Sequence, residues 1–479
     1  MTETKGATYH LPSGFSSFSQ NWPLIAWAPL FILSLVLFWP GIVTYDGVDQ
    51  YQQALSGVFD DWHAPIMAHM WQLLIPLGPK AAPMLVLQLA TYWFGLGLLA
   101  AGAGGRRAFA ILVVGALPPF LGWQGIVLKD GQMVGALLTA TGLVAYWRLR
   151  GRAIPIPALL GVALFMAYAT LLRANALFST IPLAVLLAPV PRSLWGKFGT
   201  IAIATLAVLA VSPVINHGPL GASRSGIEKV EAIYDLSAIA VRTDDAAATG
   251  LSPSAIAAIK AQHCVKSLFW DPLGEVMPCK AAVKSLDAES SVSLYLQLAG
   301  AVMRHSVPYI THRLAHLNST ERWLVPLHWP FAAPPFEVEP NALGLGNPGR
   351  AAAIWQRLAG YVVETPLGWP IVWIIVAISG LVAALDRAPD ATREMALALF
   401  ASALAQEASF GFLSIASDLR YHLWPMLAAA LGSALISDKR WSRGPWVCGM
   451  IALIIVVTAG IAARIILPQV PTTYSDLLV

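Results

Sequence analysis

Thr44 to Pro65 reads TYDGVDQYQQALSGVFDDWHAP and holds four acids, Asp46, Asp49, Asp60 and Asp61, together with His63. A carboxylate can take a proton from a hydroxyl as a general base, and several together can hold a divalent cation. The stretch follows directly on an apolar segment, Trp22 to Pro40, that is long enough to cross a bilayer. Carboxylates are costly near a bilayer, so a cluster of them there points to a functional site. A solvated acidic loop is the plainer alternative.

Three cations occupy comparable places. Lys129, followed by Asp130, lies in GWQGIVLKDGQ; Arg173 and Asn175 lie in LLRANAL; Asp418, Arg420, Tyr421 and His422 lie in SDLRYHLWP. Each sits between two apolar runs, where orientation of the chain does not require it. Converging, the three cations would make a basic pocket suited to an anionic head group. Taken one by one, each would snorkel to the interface. Glu407 lies inside an apolar run and must face a cavity or a partner; it reads as structural. His305, His312, Arg313 and His316 lie in VMRHSVPYITHRLAHL. The i,i+4 spacing of His312 and His316 suggests a metal, but no HExxH pattern accompanies it, and a basic amphipathic interfacial helix is the preferred reading.

These groups need elements to position them, and composition identifies the elements. The chain has 479 residues, 57% hydrophobic and 12% charged, with a mean hydropathy of +0.64. Soluble domains carry about 25% charged residues; this is a polytopic membrane protein. A net charge of +4 is too small to imply a nucleic-acid partner. No small-residue cleavage site follows the first apolar segment, which reads as a retained first helix.

Apolar runs near 22–40, 82–102, 108–124, 131–147, 156–172, 175–190, 198–214, 370–385, 395–413, 422–437 and 445–467 predict an all-α fold with about 11 transmembrane helices. The basic clusters are Arg106-Arg107, Arg148 to Arg152, Arg192 to Lys197, Arg387 to Arg393 and Lys439 to Arg443. All fall on one side if the N-terminus is cytoplasmic, which predicts a multi-pass protein of the inner (plasma) membrane. Residues 64–78, bracketed by Pro65 and Pro76, are apolar but short; they predict a re-entrant or interfacial helix on the outer face. The chain then divides into an N-terminal membrane module (1–214, with the acidic outer loop 41–64), a mostly helical extracytoplasmic domain (215–369) and a C-terminal membrane module (370–479). Cys264 and Cys279 fall in the outer domain, where an oxidising compartment would let them pair. Cys448 reads as a small hydrophobe in the last span.

In this layout the chain resembles the GT-C superfamily of polytopic membrane glycosyltransferases, which includes the protein O-mannosyltransferases and the aminoarabinose transferase of lipid A. The resemblance lies in the order of spans, the acidic first outer loop, the interfacial segment after it and the large outer domain. Asp46 followed by Tyr51 and Ala54 is similar to the family's Asp-(Glu)-…-Tyr-…-Ala pattern, with Gly47 where the second acid would stand. Asp61-Trp62-His63-Ala64-Pro65 is similar to its His-Pro-Pro segment, with Ala64 in place of the first proline. RAN at 173–175 and DLRY at 418–421 are similar to polar motifs of bacterial members.

The resemblance implies transfer of a sugar, hexosyl or pentosyl, from a polyprenyl-phosphate-linked donor to a hydroxyl of a cell-envelope glycan, lipid or protein. Lys129, Arg173 and Arg420 would bind the phosphate and stabilise it as a leaving group. Asp46 is the first choice of general base and Asp49 the second, with inversion at the anomeric carbon. Asp61, His63, Asn175, Tyr421 and His422 would orient the acceptor or the base; alternatively, Asp60 and Asp61 cap the helix that begins near Ala64. No cofactor is expected, but a pyrophosphate donor would call for Mg²⁺ or Mn²⁺ held by Asp46, Asp49 and Asp61. Trp62, Trp123, Trp323, Trp329 and Trp369 could stack on sugars, or simply form interfacial belts. A transporter or lipid flippase is the main alternative, but it predicts repeats that are not evident. An O-antigen polymerase- or ligase-like enzyme is a second, and a non-catalytic scaffold a third.

Overall fold

A computed structural model describes residues 13–188, 193–437, 443–471 and 473–478. Arg192, Lys439 and Arg440 of the basic clusters lie outside the described residues. Within them all regular structure is helical, and strand pairing is confined to isolated bridges such as Ile42 with Ile126 and Asp60 with Ser223. Four helices are long and apolar enough to cross a membrane: Ala82–Ala103, Leu194–His217, Ala391–Leu413 and Gly444–Ile466. Gly105–Ala116 and Pro118–Gln124, bent by 60°, make a fifth if counted together.

That is fewer than the eleven apolar runs, because other runs are cut short. Ile156–Leu172, Ala174–Leu187 and Pro370–Leu385 are apolar but only 10–17 residues long, whereas the first run belongs to the longer helix Ser13–Phe38. Two of the runs begin in 3-10 segments at polar sequence, Ala174–Ala176 before Leu177–Leu187 and Leu419–His422 before Leu423–Ile436. Those turns carry the polar groups of interest.

The bundle is built around Ala82–Ala103 and Lys129–Arg148, whose backbones meet directly. A Cβ on Gly95 would lie 2.4 Å from the Leu138 carbonyl carbon, and one on Gly142 would lie 2.4 Å from the Gly95 oxygen. Small residues at such crossings let van der Waals packing replace the hydrophobic drive that lipid does not supply. Leu194–His217 has no buried residue and lies on the outside of the bundle.

One end of the bundle is a ring of guanidinium groups on helix C-termini. Arg150 donates to Ala101 O (3.1 Å), Arg107 to Leu435 O (3.4 Å), Arg387 to Ile436 O (2.9 Å) and Arg393 to Ala384 O (2.9 Å), while Arg148 pairs with Glu394 (3.4 Å). Orphan carbonyls and the negative end of the helix dipole both favour cations there. The helices that end in this ring begin at the opposite end, where Asp46 lies.

Helices from Val230 to Arg304 enclose a separate apolar core that includes Ile233, Tyr234, Ile239, Ile259 and Leu294. Cys264 and Cys279 form a disulfide within it. The later part of the 215–369 region behaves differently: Ala332, Leu345, Ala352 and Val363 belong to the bundle core, and Gln356 donates to Gly122 O at 3.0 Å. On the Ser306–Thr320 helix the exposed face is apolar, with Val307, Ile310 and Leu314, and the basic residues face inward. His312, Arg313 and His316 are buried, because Asp235 takes His312 (3.3 Å) and Arg313 (2.5 Å), and Ser267 O meets His316 (2.7 Å). Pro65–Leu74 buries Met67, Ala68 and Trp71 on one face and leaves Leu73 exposed.

Candidate functional site

Asp46 lies in the first turn of the Tyr45–Ser56 helix, a favourable place for a carboxylate. The chain before it is clamped to the segment that leads to Lys129: Ile42 N donates to Gly125 O (3.1 Å) and Val127 N to Ile42 O (2.8 Å). Gly47 is part of that clamp. A Cβ there would lie 2.7 Å from Val43 Cγ1 and 3.0 Å from Val127 O, so the position where the resembled family carries a second acid has no room here for a side chain.

Four separated segments meet at Asp46. Arg420 Nη1 lies 3.0 Å from Asp46 Oδ2, and Lys129 Nζ lies 3.6 Å from the same oxygen. Lys129 also donates to His63 Nδ1 at 2.9 Å. Arg420 Nε reaches Asp418 Oδ1 at 3.2 Å and Asp130 Oδ2 at 4.0 Å. Arg173 pairs with Asp130 Oδ1 at 2.5 Å, donates to Asn175 Oδ1 at 3.1 Å, and stacks on the Tyr421 ring at 4.0 Å. The Arg420 guanidinium stands 5.4 Å from the centroid of the same ring. Three acids and three cations thus form one balanced network, and Asp46, Lys129, Arg173 and Arg420 each keep a side-chain exposure of 13–16%.

Burial would raise the Asp46 carboxyl, but Arg420 and then Lys129 outweigh it and hold it well below the usual carboxylate range. Burial, followed by the Lys129 ammonium, pushes His63 down to about 3, so its ring is neutral and accepts from Lys129. Asp49 behaves oppositely. Burial, with Asp60 and Asp46 as like-charged neighbours, raises it against the Gln53 amide that donates to it at 2.8 Å.

Of the residues expected at the site, Asp46, Lys129, Arg173, Arg420, His63, Asn175 and Tyr421 come together, and Asp49 follows Asp46 one turn along. Asp61 does not join them. It accepts from Ser225 N and Oγ (both 2.6 Å) and pairs with His217 (3.5 Å), tying the loop to the segment that leaves Leu194–His217. Asp60 accepts from Trp62 N (3.0 Å), and neither acid caps the next helix, whose N-cap Ala64 has no side-chain bond. His422 turns to the opposite side of its 3-10 turn and meets Glu407 (2.7 Å) and Thr320 (2.9 Å). Asp46, Asp49 and Asp61 do not converge as metal ligands; among the described residues the group that does is Glu321, Glu407 and His422.

Asp130 and Asp418 complete the network and were not singled out from the sequence as site residues. Their signal was adjacency, since each flanks one of the three cations. Of the five tryptophans considered, Trp123 and Trp369 are buried, while Trp62 is 39% exposed and packs against Trp270.

No family model matches the chain, and no curated protein matches it significantly.

Proposed function

We propose that the protein is a membrane glycosyltransferase of GT-C-like architecture, with eleven crossings, its arginine ring cytoplasmic and the Asp46 network at the outer face. It moves a sugar from a polyprenyl-phosphate-linked donor to a hydroxyl of a cell-envelope acceptor. The observation that carries this reading is the meeting of Arg420 and Lys129 on Asp46, with Arg173 beside them on Tyr421. An acid and a set of cations in one partly open cluster supply the two things such a transfer needs.

In the free protein Asp46 is a weak base, because Arg420 and Lys129 neutralise it. A donor phosphate competes for the same two cations. As they turn to the phosphate oxygens, Asp46 loses its partners and its basicity rises. The freed carboxylate then removes the proton from the acceptor hydroxyl, the hydroxyl oxygen bonds to the anomeric carbon, and the bond from that carbon to the phosphate oxygen breaks with inversion. The lipid phosphate leaves as an anion on Arg420, Lys129 and Arg173. A single phosphate is met by these cations without a metal.

The test is reconstitution with a polyprenyl-phosphate sugar and membrane extract as acceptor source. Asp46→Asn is expected to abolish transfer while the protein keeps its melting temperature. Unchanged turnover in that variant rules out Asp46 as the base.

A further inference from the structure

A second buried cluster lies behind the Leu419–His422 turn. Glu321 ends the Ser306–Thr320 helix, Glu407 comes from Ala391–Leu413, and His422 closes the turn itself. One ligand atom from each lies within 4.8 Å of the others. Glu321, Glu407 and His422 are 3%, 5% and 0% exposed. We propose that these three residues bind a divalent first-row transition cation, Zn²⁺ or Mn²⁺, which locks the Leu419–His422 turn to the bundle.

Charge is the first reason. Among the described residues the ion pair of this cluster is Glu407 with His422, and neither carboxylate has a Lys or Arg within ion-pair distance. Two buried carboxylates without a cation are strongly unfavourable, and a single doubly charged ion neutralises both. Coordination is the second reason. No group outside the cluster donates to either oxygen of Glu321 or to Oε1 of Glu407, although Glu321 is almost fully buried and aimed at the other two ligands.

Donor chemistry is the third. Two carboxylate oxygens and one imidazole suit Zn²⁺ or Mn²⁺, whereas Mg²⁺ and Ca²⁺ favour all-oxygen sets. The far ring nitrogen of His422, Nε2, meets Thr320 Oγ1 at 2.9 Å. A hydrogen-bond partner at the distal nitrogen fixes the ring's tautomer and orientation, as is usual for a metal-binding imidazole.

The consequence reaches the Asp46 network through two residues of chain. Arg420 and Tyr421 point to one side of the turn and His422 to the other. An ion on His422 would therefore set the position of Arg420 from behind. The metal site stands or falls independently of the transferase reading, because its test uses no donor and no acceptor.

The full chain is purified in detergent with an affinity tag that binds no metal, and its metal content is measured by mass spectrometry. About one Zn or Mn per chain is expected. Stripping with a chelator lowers the melting temperature by several degrees, and adding Zn²⁺ or Mn²⁺ alone restores it. Glu321→Gln and Glu407→Gln are expected to hold no metal and to show no response to added ion. Wild-type protein without bound Zn or Mn, whose melting is unmoved by either ion, overturns the proposal and leaves protons shared between the carboxyls as the neutralising charge. Retention of the metal by folded Glu321→Gln overturns it as well.

Discussion

Asp46 and Asp49 lie on the same face of one helix, yet their surroundings drive them in opposite directions, and pH can tell which is the base. The pH dependence of kcat/KM reports groups of the free protein. Asp46 is held well below the ordinary carboxylate range, so it stays ionised as pH falls and gives no acid limb above about pH 4. Asp49 is raised, so a rate that depended on it would drop as pH is lowered, with an acid limb beginning at a higher pH than an ordinary carboxylate gives, as that carboxyl took up its proton. A profile flat from pH 5 to pH 8 is the expected outcome, with Asp49→Asn retaining most of the activity. An acid limb that disappears in Asp49→Asn would move the base to Asp49. Arg420→Lys keeps the charge but loses the fork that spans Asp46 and Asp418. Transfer in that variant is expected to drop about 10²-fold or more, the usual cost of losing one aimed donor, with the melting temperature little changed.

Much of this network was legible in the sequence, because a chain that avoids charge makes each remaining charge conspicuous. Asp46, Lys129, Arg173 and Arg420 were found that way. Glu321 was not, since it follows a polar helix where an acid attracts no notice, and only its tertiary contact with Glu407 reveals it. His422 was misplaced for a similar reason: neighbours in a 3-10 turn point to different sides, and the motif DLRYH does not say which.

At the scale of elements, the contact between Ala82–Ala103 and Lys129–Arg148 sets the position of Lys129. Gly95→Val would push a side chain into the Leu138 carbonyl carbon, 2.4 Å from where its Cβ must lie. Overpacking of this kind costs about 1–3 kcal/mol, and here neither backbone can move without shifting its helix. A lower melting temperature and a loss of transfer are expected together, whereas Gly199→Val, in open space on Leu194–His217, should change neither. The helical unit from Val230 to Arg304 has its own staple. Cys264 and Cys279 are 15 residues apart, and closing a loop of that length stabilises by about 3 kcal/mol on the chain-entropy model. Cys264→Ser with Cys279→Ser should lower the unfolding temperature of that domain, read by hydrogen exchange over Val230–Thr243, and leave the bundle helices protected. This pairing was expected from the region the two cysteines share and the oxidising compartment expected for it. The glycine crossing was not, because small residues are frequent throughout an apolar chain and only the partner helix shows which of them touch.

For the whole molecule, the arginine ring and the Asp46 network lie at opposite ends, and the direction of the protein in the membrane follows from which end is cytoplasmic. Guanidinium groups on helix C-termini would satisfy carbonyls equally well on either side, so the packing alone is indifferent to orientation. The bias comes from insertion, which retains short Lys- and Arg-rich loops in the cytoplasm. With that bias, the proposed orientation puts Asp46, Lys129, Arg173 and Arg420 at the outer face, level with the phosphate of the proposed lipid-linked donor. Two exposed positions separate the alternatives: Arg152, in the loop before Ile156–Leu172, and Ser285, on the Met277–Asp287 helix of the disulfide-bonded unit. In a background with Cys448→Ser, Ser285→Cys should react with an impermeant maleimide in right-side-out vesicles. Arg152→Cys should react only in inverted ones. Reaction of both in the same vesicles would mean an even number of crossings between them and break the eleven-span arrangement; reaction of Arg152→Cys in right-side-out vesicles would put the arginine ring outside and the Asp46 network where a lipid-linked donor on the outer leaflet cannot reach it.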